Sequence, residues 1–121
     1  MTLSEAQGAV LEFAKKNGWE DYPNIDKFDH IHEELLEMSQ FLRYKSREER
    51  EKFVSEHQEL FEKELGDVLF GLLRLANQLG VDAERGFLAA KAKIEKKYTS
   101  GVAENKTIHQ SSGDSQFGSP S

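Results

Sequence analysis

The 121-residue chain has no cysteine, which excludes a disulfide framework, a thiolate metal site and a thiol nucleophile. It has only two prolines, Pro23 and Pro120, so nothing between Ile25 and Tyr98 breaks a helix through proline. No uninterrupted apolar run approaches the roughly 20 residues that a membrane-spanning helix needs. The N-terminal MTLSEAQGAV lacks a basic stretch followed by an apolar run, so no secretory signal is expected. An excess of positive charge is missing too. The net charge of -6 argues against general affinity for nucleic acid or anionic membrane, though it leaves room for a small basic pocket. The expectation is a cytoplasmic protein with one domain and a modest core.

Helix formers with apolar residues at helical spacing are abundant, and no alternating strand pattern competes with them. A first helix is expected from a Ser4 cap to about Asn17, where Asn17-Gly18 stops it. WEDYPN, residues 19–24, forms a turn around Pro23. A second helix carries the stripe Phe28, Ile31, Leu35, Met38 and Leu42. Ser46 followed by Glu49 has capping-box spacing and marks a new start. From there, REEREKFVSEHQELFEKE has neither Gly nor Pro and is read as running unbroken into a third helix. That helix carries Phe61, Leu65, Val68, Leu72, Leu75 and Leu79 and ends at Gly80. Asp82 then caps a fourth helix ending near Tyr98, with apolar positions Phe87, Ala90, Ile94 and Tyr98. Residues 1–98 are therefore read as one all-α domain. In residues 99–121, Ser, Gly and Pro supply 10 of 23 positions and apolar periodicity is lost, so this segment is read as a flexible polar tail.

The second and third helices echo each other. One holds Glu33-Glu34-Leu35-Leu36-Glu37 and the other Glu64-Leu65-Gly66-Asp67. Carboxylates three residues apart share a helix face. Glu34 and Glu37 lie beside the stripe at Leu35 and Met38, and Glu64 and Asp67 beside Leu65 and Val68. If these stripes pack together, four carboxylates converge at the edge of the core, where they repel unless cations intervene. Mg²⁺ or Mn²⁺ fits an all-oxygen ligand set. An ordinary solvated face explains either acidic motif alone. A glycine inside a helix costs about 1 kcal/mol relative to Ala, so Gly66 and Gly71 point to close approach of a ligand or a neighbouring helix. A carboxylate-bridged di-iron site would need two Glu-x-x-His motifs. Asp29-x-x-His32 is the nearest match, so the oxygen-only site is preferred. His30 and His32 are read as outside the metal shell, and His57 and His109 as incidental. KAKIEKKY, residues 91–98, brings four lysines; Lys93 and Lys97, one turn apart, suit phosphate binding or simply the helix dipole.

EELLE, then 26 residues, then ELGD resembles the EExxE…ExxD signature of the MazG-type all-α nucleoside triphosphate pyrophosphohydrolases. The resemblance spans about residues 18–98 and is strongest in ELGDVLFGLLRLANQLGVDAERGFLAAKAKIEKKY. It implies a four- to five-helix bundle completed by a homodimer or homotetramer. It also implies Mg²⁺-dependent cleavage of (deoxy)nucleoside triphosphates to monophosphate and pyrophosphate, serving to remove unwanted nucleotides. Glu34, Glu37, Glu64 and Asp67 would be the metal ligands by that resemblance, with Glu33 supporting them or positioning water. Lys93 and Lys97 match positions that hold phosphates. His30 stands where the family tends to carry lysine, which makes it a candidate substrate contact of altered chemistry. The spacing between the acidic motifs is at the long end, and the family's aromatic position beyond the last helix has no counterpart. Trp19 and Tyr22 are read as packing against the turn after the first helix rather than against a base. The runners-up are a related pyrophosphohydrolase acting on phosphoribosyl-ATP or dUTP, and a catalytically silent helical binding module.

Overall fold

The computed structural model describes residues 1–20, 22–23 and 25–100. It contains five α-helices and, among the described residues, no strand: α1 (Leu3–Lys16), α2 (Ile25–Gln40), α3 (Arg47–Glu56), α4 (Gln58–Leu79) and α5 (Ala83–Ser100). The expected all-α class is observed. The chain divides into two compact units, Met1–Glu84 and the residues from Arg85 onward. The tail expected from residue 99 lies, beyond Ser100, outside the described residues.

In the first unit α4 is the shared partner, packing against α1, α2 and α3. Its buried positions are Val68, Gly71, Leu73, Leu75, Ala76 and Gln78. Ile31 of α2 joins Val68 and Leu75 in the core cluster, with Met38 packed against it. On the other side, Val10 and Ala14 of α1 are buried, and Phe13 meets Phe70 edge-on at 6.4 Å.

Local chemistry explains most of the helix ends. Ser46 and Glu49 close the expected capping box. Gly80 ends α4 in the left-handed conformation, φ 69°, which a residue with Cβ adopts only at a cost. Asp82 accepts a hydrogen bond from Glu84 N at 2.9 Å, as its capping role requires. At the first helix the expectation needs correction: the cap is Thr2, which forms a capping box with Glu5. Ser4 instead sends its backbone N–H to Glu84 and its hydroxyl to Asp82. The charged connection is not continuous either, because His57 (φ -128°, ψ 42°) separates α3 from α4. Its Nδ1–H donates to Phe53 O at 2.8 Å and its ring stacks on Phe53 at 3.9 Å, so the role of His57 is structural.

In the second unit, α5 presents Phe87, Leu88, Ile94 and Tyr98 with about half their surface exposed. Lys91 pairs with Glu95 one turn on.

Candidate functional site

The two acidic motifs lie on α2 and α4, helices that pack against each other. The faces they bury are not quite those that the apolar pattern suggests. On α2, Phe28 and Leu35 are 43% and 47% exposed, whereas Ile31 is 6% exposed. The packed line runs through Ile31, Glu34 and Met38, residues three and four apart. Glu34 therefore sits within the face turned to α4, not beside it. On α4, Leu65, Leu72 and Leu79 of the expected stripe are substantially exposed, and the buried line toward α2 carries Val68, Gly71 and Leu75. Glu64, half-buried, precedes Val68 by one turn on that line.

Glu34 has two unlike oxygens. Its Oε2 lies 3.3 Å from His30 Nε2, one turn earlier on the same helix, and its side chain is 20% exposed. Its Oε1 is buried without a hydrogen-bond partner. A buried carboxylate oxygen without a donor is costly, and native proteins rarely tolerate one without a reason. His30 is thus a partner of the acidic motif, while His32 points to solvent.

The remaining acids are less enclosed. Glu33, Glu37 and Asp67 are exposed. Among the described residues, no group of three His, Cys, Asp or Glu side chains is gathered closely enough to hold a metal ion. The donors nearest to a buried setting are the carboxylates of Glu34 and Glu64. Oxygen donors of this kind suit a hard divalent cation, and the orphaned Oε1 of Glu34 is the atom with most to gain from one. Lys93 and Lys97 are exposed residues of α5, in the second unit.

Gly71 owes its place to helix packing. A Cβ there would stand 3.2 Å from Ile31 Cγ1, so the missing side chain lets α2 and α4 approach. Gly66 has nothing within 4 Å of a Cβ position, so the structure gives no packing reason for that glycine. Trp19 packs as expected: its ring meets Phe13 edge-on at 5.3 Å, and the Arg74 guanidinium lies over it at 4.4 Å.

One buried polar residue has no counterpart in the sequence reading. Gln78 is 7% exposed and its Oε1 has no partner, one helical turn beyond Leu75 on the buried side of α4. The available signal was its position seven residues after Gly71, which continues an otherwise apolar line.

No helix among the described residues is long and apolar enough to cross a membrane. No family model matches the chain, and no solved structure matches it. The uncharacterized protein YvdC of Bacillus subtilis (strain 168) is 29% identical over 104 residues, a span covering 81% of this chain and 97% of that relative.

Proposed function

We propose that the chain is a Mg²⁺-dependent nucleotide pyrophosphohydrolase of the MazG type. It would cleave (deoxy)nucleoside triphosphates to a monophosphate and pyrophosphate, in the cytoplasm, as a guard of the nucleotide pool. The observation that carries this reading is the unpartnered Oε1 of Glu34, buried on the α2 face turned to α4, where Glu64 is also half-buried. Two ordinary solvated acidic faces would leave no carboxylate oxygen buried and unpaired.

Glu34, Glu37, Glu64 and Asp67 would hold the ion. Glu37 and Asp67 are exposed, so the site as proposed would assemble when a cation offsets the repulsion among its acids. Mg²⁺, when bound, would neutralise phosphate oxygens and make a water more acidic. One carboxylate of the set would orient a water for in-line attack on phosphorus, with Glu33 in support. His30, already against Glu34, sets the geometry of that acid or contacts substrate. Lys93 and Lys97 would act as point charges toward phosphate.

Self-association into a dimer or tetramer is part of the proposal. It is supported by Leu65, Leu69, Leu72 and Leu79 of α4, each 45–59% exposed. A row of large apolar side chains left in water is the usual mark of an interface.

The test is pyrophosphate release from a panel of nucleoside triphosphates, with and without Mg²⁺, with phosphoribosyl-ATP and dUTP included. Release that needs Mg²⁺ and disappears in Glu37→Gln and Asp67→Asn, with helical content retained, is the expected result. No release from any nucleotide would overturn the enzyme reading. Unchanged turnover in both variants would overturn the ligand assignment.

A further inference from the structure

Between α2 and α3 the backbone makes one strained step. Tyr44 has φ 61°, the only positive φ outside glycine among the described residues. For a residue with a Cβ this conformation costs about 1–2 kcal/mol, and for a bulky one it is an outlier. Packing of the side chain does not offset that cost, because Tyr44 is fully exposed.

The turn is held from both sides. Phe41 stacks on Phe53 at 5.9 Å and meets Phe61 edge-on at 6.2 Å. Arg50 Nε donates to Leu42 O at 3.0 Å, and the Lys45 ammonium lies over the Phe53 ring at 5.1 Å. Backbone strain persists where surrounding structure over-determines it, and such residues cluster at ligand contacts.

Charge points the same way. From Ser39 to Arg47 the chain has three cations, Arg43, Lys45 and Arg47, and no acid, although its net charge is -6. Arg47 is tied to Glu51 at 3.1 Å, whereas the exposed Arg43 guanidinium has no hydrogen bond or ion pair among the described residues. An outward aromatic ring beside an unengaged guanidinium suits a ligand that is both planar and anionic. The turn follows directly on α2, the helix that carries Glu34 and Glu37. Tyr44 follows Glu37 by seven residues, and Phe61, which Phe41 touches, precedes Glu64 by three.

We propose that Tyr44 is the nucleobase contact for the nucleotide taken by the α2–α4 face, with Arg43 supplying charge to the same ligand. This rests on the nucleotide reading above.

The test titrates the wild-type chain, Tyr44→Gly, Tyr44→Phe and Tyr44→Ala with Mg²⁺ and α,β-methylene nucleoside triphosphates, which resist cleavage at that bond. Inorganic tripolyphosphate is the base-free control, and a single-stranded oligonucleotide is the second probe. Tyr44→Gly should unfold at a higher temperature, since glycine relieves the strain. Tyr44→Gly and Tyr44→Ala should bind nucleotide about tenfold more weakly, the loss expected of one base-stacking ring. Tripolyphosphate affinity should not change, and Tyr44→Phe should bind like wild type. Equal affinity in all variants, equal loss for nucleotide and tripolyphosphate, or a wild-type chain that binds no nucleotide would each overturn the contact. A loss confined to the oligonucleotide overturns it in favour of a nucleic-acid partner. Pyrophosphate release is read separately, so a chain that binds through Tyr44 without cleaving refutes the hydrolase reading and leaves the contact standing.

Discussion

Ile31 Cγ1 lies 3.2 Å from the point where a Cβ on Gly71 would stand. The contact joins α2 to α4 at the level of the core cluster, so it sets how closely the two acidic helices approach. Gly71→Ala should change stability by no more than about 1 kcal/mol, because gained helix propensity offsets the crowding of a flexible Ile side chain. Gly71→Val should destabilise by about 2 kcal/mol through overpacking. Urea unfolding of both variants measures the contrast, and equal stabilities would refute it.

Removing the Glu34 charge should separate stability from activity. Glu34→Leu replaces a carboxylate whose Oε1 is buried and unpartnered, so it should stabilise the fold by about 1 kcal/mol. The same variant should lose Mg²⁺-dependent pyrophosphate release. Denaturant unfolding and the release assay together test this, and a destabilised variant would show that Glu34 is a structural acid.

Gln7 ties the start of the chain to the loop after α4. Its Nε2 donates to Asn77 Oδ1 at 2.9 Å and to Val81 O at 2.8 Å, and its Oε1 accepts from Ala83 N at 2.8 Å. Gln7→Leu should cost about 2 kcal/mol, because it strands these partners. Hydrogen exchange at the Ala83 amide should accelerate most. Unchanged protection there would mean the network is not what orders the loop.

The aromatic group at the α2–α3 turn should matter more than any single cap. Phe41→Ala removes a stack on Phe53 and an edge contact with Phe61, and should destabilise by about 3 kcal/mol. Thr2→Ala removes a capping-box side chain and should cost about 1 kcal/mol. Thermal unfolding of the two variants ranks them, and the reverse order would show that the cluster contributes little.

Lys93→Ala with Lys97→Ala should raise the KM for triphosphate about tenfold if these residues hold phosphate, with smaller effects at higher salt. Initial-rate kinetics at two ionic strengths would reveal this. An unchanged KM would return both lysines to the helix-dipole role.

Where the physics is local, the helices were legible. Ser46 and Glu49, Gly80 and Asp82 act through neighbours within four residues, so their spacing alone announces them. The break at His57 was not legible, because no glycine or proline marks it and stacking on Phe53 accompanies it. Thr2 and Ser4 are equivalent as cap residues by type; only the reciprocal bond from Glu5 distinguishes them. For the candidate site, the acids themselves could be read from the motif, but their surroundings could not.

From the sequence alone came the all-α class and most helix ends, since each follows from short-range spacing and side-chain chemistry. Tertiary structure alone decided which line of each wide apolar stripe is buried. A helix face can rotate by one position and still bury leucine, and the rotation is chosen by what fits the neighbour. Here Ile31 fits against Gly71, which turns Leu35 toward water and brings Glu34 inward.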